Sequence, residues 1–436
     1  MVGALHQPRY LPNSIPILTS NRIVTIQDRY QNQIRFLQEV FEKVFQVFDM
    51  NKPVDTWLSG FYRSNRQIGS KDRRRISNSI FGFLRWYGWL RKLPQEVKEL
   101  APLLGFLLDD HEPDATMGYW LDQSRCSGEI LRGKPLEEKC ALFSERFIEV
   151  SISDLNPEFI KSWSVETIAA FQSRPPVWVR SCEAVPIDFL GWLKTKQVAY
   201  RSHPYCAHAV EIASPVNLFE SEAYLKGRVE VQDIASQGIG MLCHPQAEEI
   251  WWDACCGSGG KALQLASYLD RTGKVYATDI DKRRLAELQK RVSRSPFKDR
   301  IEAFHWDGKQ FPDFSERPVH VLLDVPCSCS GTWRRSPELR WTTSMEEILS
   351  YARIQQNLMK TAAQVLFEGG KLVYATCSVM AQENEGVIDR FLMDHPEFEK
   401  VPGANPLTGE AHDGIVRFCP PEVNGNGMFA AVLMKT

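Results

Sequence analysis

The sequence predicts an α/β domain built on a parallel β-sheet, which follows a small α+β domain and an all-helical domain. Beyond Val231, apolar strand patterns alternate with helical ones, and this alternation indicates a parallel sheet covered by helices on both faces. From Gln31 onward, in contrast, apolar residues recur at steps of three and four, as on one face of a helix. Short strand patterns lie between the two regions, beginning at residues 177–180.

These patterns divide the 436 residues into four segments. Residues 1–26 have little periodicity and are interpreted as an N-terminal extension. The other segments are residues 27–150 (helical), 155–235 (small α+β) and 236–436 (α/β). Within the helical segment, residues 61–92 carry nine Lys or Arg against one Asp. This basic, aromatic-rich stretch either contacts RNA or forms a solvated helix face over a core stripe.

Composition excludes several classes of protein. No run of 18 apolar residues appears and the N-terminus lacks a hydrophobic signal region, so membrane insertion and secretion are not expected. The 11 cysteines are odd in number and irregularly spaced, and none forms a CxxC pair. Disulfides, a structural zinc site and any other bound metal are therefore not expected, and a reducing cytoplasm is the simplest location. The spacing of His203, Cys206 and His208 does not suggest a metal site either.

The five candidate strands of the parallel sheet end in residues suited to binding. They are residues 249–254, 274–280, 301–307, 319–325 and 370–378. Ligands of such sheets bind outside the carboxyl ends of the strands, and Asp253, Asp279, Asp307 and Asp324 lie at four of these ends. Each acid alone is often only a helix N-cap. Three of them, Asp279, Asp307 and Asp324, follow one glycine turn in order, and this succession favours a ligand site.

The glycine turn follows the first strand and contains Cys255, Cys256, Gly257, Ser258, Gly259, Gly260 and Lys261. It is neither a Walker A loop nor a GxGxxG motif, so no phosphate-binding feature is evident. Asp279 is suitably placed to bind a ribose, and Asp307 an adenine amino group. We therefore expect S-adenosylmethionine rather than NAD or ATP, although as a single feature the turn is also compatible with a simple connector.

Two strand ends carry thiols, in PCSC (residues 326–329) and in TCS (residues 376–378). A free cysteine is most often a small buried apolar residue. At a ligand-binding edge, however, a thiolate that adds to C6 of a pyrimidine makes C5 nucleophilic toward a methyl donor. A base must then remove the C5 proton so that the thiol is expelled, and an acid beside the ring assists the addition. Two cysteines near Asp324 suit this chemistry.

Three motifs together resemble the RsmB/Sun family of RNA (cytosine-5) methyltransferases: DACCGSGGK, DVPCSCSGTWRRSPELRW and KLVYATCSVMAQENE. The resemblance implies a Rossmann-like class I methyltransferase domain, with an antiparallel final hairpin, that uses S-adenosylmethionine. It also implies that Cys377 attacks C6, that Cys327 helps to release the product, and that Asp324 contacts the cytosine and the cofactor. By the same resemblance, Asp279 and Asp307 hold ribose and adenine, and residues 255–261 wrap the methionine end.

Two features of the sequence depart from the pattern of this family. Cys256-Gly257-Ser258 replaces the residues that usually precede the paired glycines of the family, and Cys329 stands where glycine is common.

In the helical segment, SKDRRRISNSIFGFLRWYGWL (residues 70–90), with Arg85 and Trp86 at its centre, resembles the NusB-like RNA-binding region fused to ribosomal RNA enzymes of this kind.

The expected function is methylation of C5 of a cytosine in 16S ribosomal RNA by a monomeric, cytoplasmic enzyme. Arg334 and Arg335, just after the cysteine loop, are expected to contact the RNA backbone. Alternatives are a transfer RNA, DNA or small-molecule methyltransferase, and a non-catalytic RNA-binding factor in ribosome assembly. In a DNA-type enzyme Cys327 would be the nucleophile and Cys377 would have no role.

Overall fold

The computed structural model describes residues 25–49, 53–160, 162–182, 185–214 and 216–436. The N-terminal extension expected for residues 1–26 therefore lies outside the described residues, except for Thr25 and Ile26, where the first helix begins. None of the helices in the described part of the chain has both the length and the apolar character needed to cross a lipid bilayer.

The N-terminal region is helical throughout its regular elements, as the sequence predicts. Its α-helices pack around a core that includes Leu37, Val44, Ile80, Trp89 and Leu104. They are α1 (Ile26–Asp49), α2 (Val54–Ser64), α3 (Ser70–Arg85), α4 (Tyr87–Leu90), α5 (Ala101–Leu108), α6 (Ala115–Ser124), α7 (Leu136–Arg146) and α8 (Val165–Phe171).

The basic stretch at residues 61–92 is divided between surface and interior. Arg75 is 8% exposed and pairs with Asp114 at 2.6 Å, and Arg85 is 2% exposed. Trp86 is equally buried, so the two residues at the centre of the NusB-like motif are not available to RNA. The interpretation of this stretch as an RNA-contacting surface is wrong for these side chains because they complete the helical core.

A four-stranded antiparallel sheet follows, in the strand order β2-β3-β1-β4. The short strand patterns predicted from residues 177–180 onward lie in this sheet. The elements are β1 (Val177–Ser181), α9 (Ile187–Thr195), β2 (Tyr200–Ser202), β3 (Ala209–Ile212), α10 (Glu222–Leu225) and β4 (Val229–Val231). A separate apolar core, which includes Val179, Phe189 and Val229, lies between this sheet and α9.

The C-terminal region is an eight-stranded mixed sheet with helices on both faces. Its order is β10-β14-β9-β8-β5-β6-β7, with β13 paired to β14. The elements are α11 (Ile234–Cys243), β5 (Ile250–Asp253), α12 (Gly260–Tyr268), β6 (Lys274–Asp279), α13 (Lys282–Arg294), β7 (Ile301–His305), β8 (His320–Asp324), α14 (Leu339–Thr342), α15 (Met345–Ala363), β9 (Lys371–Thr376), α16 (Glu385–Asp394), β10 (Phe398–Lys400), β11 (Gly403–Ala404), β12 (Ala411–His412), β13 (Ile415–Phe418), α17 (Pro420–Val423) and β14 (Met428–Lys435).

All five strands predicted from the apolar runs form, and they are parallel neighbours. Successive residues of a strand enter opposite core layers: Trp251 packs on one face and Trp252 on the other. The final hairpin of β13 and β14 is antiparallel, as expected. The strand order reverses between β5 and β8, and in sheets of this kind the carboxyl ends of the strands at such a reversal are where ligands bind.

The helical region is bonded directly to the C-terminal region. Arg85 Nη2 donates to the carbonyl oxygen of Arg334 at 2.9 Å, and Trp341 Nε1 donates to that of Leu84 at 2.7 Å. Arg334 is only 3% exposed and donates to the carbonyl oxygen of Gly425. The expectation that Arg334 contacts RNA is therefore wrong, because this side chain joins parts of the protein to one another.

Candidate active site

Two cysteines meet at the carboxyl edge of the sheet. Strand β8 ends at Asp324, the parallel neighbour β9 ends at Thr376, and Asp324 is in register with Ala375. Three residues beyond β8 and one beyond β9, the Sγ atoms of Cys327 and Cys377 lie 3.4 Å apart. The structure therefore brings together the two thiols that the sequence singles out.

Cys329 is a third member of this cluster. Its backbone adopts a left-handed conformation, with φ of 55°, and its Sγ lies 3.5 Å from the carbonyl oxygen of Cys327. The three Sγ atoms of Cys327, Cys329 and Cys377 all lie within 4.8 Å of one another. Among the described residues, this is the one group of three potential ligand atoms close enough for a shared metal ion.

The three thiols perturb one another. The hydrogen bond with Cys329 raises the pKa of Cys327, and Cys377 and burial raise it further. The hydrogen bond with Cys327 lowers the pKa of Cys377, but the contact with Cys329 and burial outweigh it, so that this pKa is raised. Hydrogen bonds from the other two thiols lower the pKa of Cys329.

A buried carboxylate joins the two cysteine loops. Glu383 is fully buried, and its Oε1 accepts from the backbone N–H of Ser328 at 2.8 Å. Its Oε2 accepts from the hydroxyl groups of Ser328 and Ser378, both at 2.5 Å. Gln355 Nε2 donates to Glu383 at 3.2 Å and to the carbonyl oxygen of Pro326 at 3.0 Å. Glu383 lies within the TCSVMAQENE motif but is not among the residues predicted from the sequence.

Beside the thiols, Lys261 forms an ion pair with Asp324, with 2.7 Å between Nζ and Oδ2. Burial alone would lower the pKa of Lys261, but the Asp324 carboxylate outweighs it and raises that pKa. Asp253, at the end of β5, is wholly buried, and neither carboxyl oxygen has a hydrogen-bond partner of good geometry. Burial, reinforced by the charge of Asp324, raises the pKa of Asp253 to about 8. Asp253 is therefore mainly protonated at neutral pH.

The glycine turn links β5 to α12 and contacts the end of β6. Gly257 and Gly259 have φ of +55° and +83°, a conformation that favours glycine. The backbone N–H of Gly257 donates to Asp279 Oδ2 at 2.9 Å, and Arg291 Nη1 donates to the carbonyl oxygen of Ser258 at 2.8 Å. Cβ atoms added at Gly257 or Gly260 would meet no atom within 4 Å, so open space faces the turn.

The expected cofactor residues are thus not equivalent. Cys255 is half-buried and Cys256 is buried, and both lie in the turn that Asp279 organises. Asp307 lies two residues beyond β7, is exposed, and accepts from the backbone N–H of Lys309. The predicted strand 301–307 is therefore two residues too long: pairing ends at His305, and Trp306 begins a turn in which its Nε1 donates to the carbonyl oxygen of Gln310. The polar groups of the turn and the Asp279 carboxylate, together with the open space in front of the turn, fit an adenosine-bearing cofactor that carries no phosphate.

Comparison with known proteins identifies the domain that carries this site. Residues 240–434 match the family model described as 16S rRNA methyltransferase RsmB/F. The match covers less than half of the 436 residues, and it shows that this domain is similar to the RsmB/F methyltransferases. The resemblance drawn from the three motifs is confirmed, as is the S-adenosylmethionine-dependent class of the RsmB/F domain.

Relatives and solved structures extend this result to the fold of the whole chain. A ribosomal RNA small subunit methyltransferase B of Sodalis glossinidius is 30% identical over 64% of this chain and 65% of that protein, which is less than two thirds of its length. A protein of the same name from Yersinia enterocolitica is 29% identical over 90% of this chain and 96% of that protein. The crystal structure of PH0851 superposes with a TM-score of 0.70 at 23% identity, and covers 92% of this chain and 98% of that one. The predicted fold class, a Rossmann-like methyltransferase domain behind a helical region, is confirmed.

Proposed function

We propose that this protein transfers a methyl group from S-adenosylmethionine to C5 of a cytosine in 16S ribosomal RNA, through a covalent bond between Cys377 and C6. The observation that carries the proposal is the 3.4 Å contact between the Sγ atoms of Cys327 and Cys377. A single buried thiol would suit packing, but two thiols in contact at the ligand-binding edge of a methyltransferase domain suit a reaction that must both form and break a bond to sulfur.

The two thiols act in opposite steps. Cys377 adds to C6, and because its pKa is raised, its proton passes to the nearby Asp324 carboxylate as the S–C6 bond forms. Asp324, which lies 2.7 Å from the ammonium group of Lys261, shares the proton received from Cys377 with N3 and so neutralises the ring during addition. Once C5 is methylated, Cys327, as the thiolate that forms when its own proton passes to solvent, removes the C5 proton. The electrons of that C–H bond re-form the C5–C6 double bond and expel Cys377.

The glycine turn, Lys261 and the acids at the strand ends would hold the cofactor. S-adenosylmethionine, when bound, supplies the electrophilic methyl group. We assign the ribose hydroxyl groups to Asp279 and the adenine amino group to Asp307. Residues 255–261 would wrap the methionine end, with Asp324 close to both ligands. The positive φ of Gly257 and Gly259, and the open space before Gly257 and Gly260, support this assignment.

Ribosomal RNA is the substrate that we favour over transfer RNA. Both the family description and the names of the aligned relatives specify small-subunit ribosomal RNA. In addition, Arg63, Arg66, Lys71 and Arg74 are exposed on the helical region, where they are available to phosphates. Because C5 chemistry needs access to the face of the ring, the target cytosine is unpaired or flipped out. The cytoplasmic location and the monomeric state stay predictions.

Covalent trapping tests this proposal. Wild type, Cys327→Ala, Cys377→Ala and the control Cys419→Ala are incubated with S-adenosylmethionine and either 16S ribosomal RNA or transfer RNA. We expect a denaturation-resistant RNA adduct to accumulate in Cys327→Ala, none to form in Cys377→Ala, and 5-methylcytosine to appear with wild type and Cys419→Ala on ribosomal RNA alone.

Other outcomes contradict separate parts of the proposal. An adduct that depends on Cys327 would reverse the roles of the two thiols and indicate a DNA-type mechanism. Methylation of transfer RNA only would replace the substrate. Neither adduct nor methyl transfer on any RNA would leave a binding protein with a methyltransferase fold.

A further inference from the structure

We propose that Cys327, Cys329 and Cys377 form a binding site for one thiophilic cation, Zn²⁺ or Cu⁺, which three thiolates coordinate together. Ion binding at this site does not depend on the proposed function. One consequence does: an ion held there occupies both thiols assigned to cytosine chemistry, so it would inhibit methyl transfer.

The sulfur positions are close to those that a tetrahedral ion requires. A zinc–sulfur bond of about 2.3 Å places two sulfurs on the same tetrahedral ion about 3.8 Å apart. Here Cys327 and Cys377 are separated by 3.4 Å, and all three Sγ atoms lie within 4.8 Å of one another. Side-chain shifts of about 1 Å or less therefore close the site around an ion.

The backbone around the thiols is fixed by hydrogen bonds. Ser328, which lies between two of the cysteines, and Ser378, which follows the third, are both bonded to Glu383. Cys329 is held in its left-handed conformation by the turn after it, where the backbone N–H and the hydroxyl group of Thr332 donate to its carbonyl oxygen at 2.8 Å. The three ligands are thus largely pre-positioned, which reduces the ordering cost of binding.

The chemistry of the donor set selects the class of ion. Thiolates are soft ligands that favour Zn²⁺ and Cu⁺ over Mg²⁺ or Ca²⁺. Three protein ligands suffice for a trigonal ion, or leave the fourth position of a tetrahedral ion open. Each S–H bond that is still present breaks as an S–metal bond forms, and its proton passes to solvent, so no oxidant or reductant is needed. Cys329 and Cys377 are only half-buried, which provides a route of entry.

Cys329 is the residue that distinguishes this site from a pair of catalytic thiols. The proposed methyl transfer uses Cys327 and Cys377 and leaves Cys329 without a role. Sequence spacing predicts no metal site because the third ligand comes from a separate strand end, 48 residues after Cys329. The structure supplies the contact that spacing does not show.

The test is metal binding by the full chain, without RNA. Reduced, metal-free protein is titrated with Zn²⁺, and separately with Cu⁺ under reducing conditions, against a chromophoric chelator. We expect one ion per chain for wild type and for the control Cys419→Ser. Loss of one ligand in Cys329→Ser should weaken binding by about 100-fold or more. Tight binding of either ion supports the site and identifies which ion it prefers.

Alkylation of wild type provides a readout that needs no variant. Iodoacetamide labelling, mapped by mass spectrometry, should be suppressed by the bound ion at Cys327, Cys329 and Cys377 but not at Cys419. Equal affinity in wild type and Cys329→Ser, or labelling that the ion leaves unchanged, would overturn the proposal. If an ion binds and protects the thiols while no RNA is methylated under any condition, the metal site stands and the proposed function fails.

Discussion

The Sγ atoms of Cys327 and Cys377 lie 3.4 Å apart, although the two residues are separated by 50 positions in the chain. Parallel pairing of β8 with β9 brings their loops together, and the register places Asp324 opposite Ala375. Pairing alone does not set the approach of the loops beyond the strands. Glu383 does so, because its carboxylate accepts hydrogen bonds from Ser328 in one loop and Ser378 in the other.

The first prediction concerns Glu383→Gln. Gln carries an NH₂ donor where the carboxylate has a second acceptor oxygen. The buried hydroxyl groups of Ser328 and Ser378, which donate to Glu383 Oε2, would then face another donor. We expect a loss of about 1–3 kcal/mol in the free energy of unfolding, measured with urea. A faster reaction of Cys377 with iodoacetamide should accompany it as the loops separate. Glu385→Gln is the control, since this partly exposed residue pairs with Arg417 at the surface and should cost less than about 1 kcal/mol. Equal losses in the two variants would contradict a special role for Glu383.

The second prediction is a pH dependence that arises from Asp253. Its pKa is raised to about 8 by burial and by Asp324, whereas an unfolded Asp titrates near about 3.9. Between these values the folded state binds one proton more than the unfolded state, so this group makes stability fall as pH rises from about 4 to about 8. Asp253→Asn removes this pH-dependent contribution to the free energy of unfolding. The stability of wild type relative to Asp253→Asn should therefore decline steadily between pH 5 and pH 8.

Urea unfolding at several pH values checks this. Asp270→Asn is the matched control, because Asp270 is exposed and its hydrogen bond from Thr272 lowers its pKa, which moves its effect below this pH range. A stability difference between wild type and Asp253→Asn that stays constant with pH would show that Asp253 is ionised in the folded protein.

Local sequence patterns predict the parallel sheet and the residues at its carboxyl edge. Apolar runs revealed the five strands, and the rule that such strands end at the ligand site placed Asp324, Cys327 and Cys377 together. Charge alone did not distinguish surface from interior: Arg85 contacts a carbonyl oxygen 249 residues away, a relationship that no local period encodes. Glu383 was missed for the same reason, because its partners become neighbours only when β8 and β9 pair. Domain boundaries and residue roles stay predictions.

The third prediction concerns Arg85→Met. Arg85 Nη1 lies 2.6 Å from both carboxylate oxygens of Asp109, and Nη2 joins the helical region to Arg334. Removal of the guanidinium leaves Asp109, 6% exposed, as a buried charge with His111 and the more distant Arg174 as neighbours. We expect a loss of about 3–5 kcal/mol in the free energy of unfolding. Arg74→Met on the exposed face of α3 is the control and should change stability by less than about 0.5 kcal/mol. Similar melting temperatures for the two variants would contradict this account of the interface.

The fourth prediction separates strain from ligand contact in the glycine turn. Gly259 has φ of +83°, and a Cβ there would overlap Leu288 Cδ1. Gly260, the next residue, opens α12, and a Cβ there would meet no atom within 4 Å. Gly259→Ala should therefore destabilise the cofactor-free protein by about 1–3 kcal/mol. Gly260→Ala should leave stability unchanged or raise it by about 0.4–1 kcal/mol, since alanine reduces the freedom of the unfolded chain.

In Gly260→Ala we expect the affinity for the cofactor to fall although stability does not. If the open space before the turn is where S-adenosylmethionine binds, the methyl group of Gly260→Ala intrudes into it. Calorimetric titration should then show weaker cofactor binding by a protein of undiminished stability, a combination that general destabilisation cannot produce. Cofactor affinity equal to that of wild type in Gly260→Ala would mean that the ligand does not approach this turn, and it would move the methionine end of the cofactor away from residues 255–261.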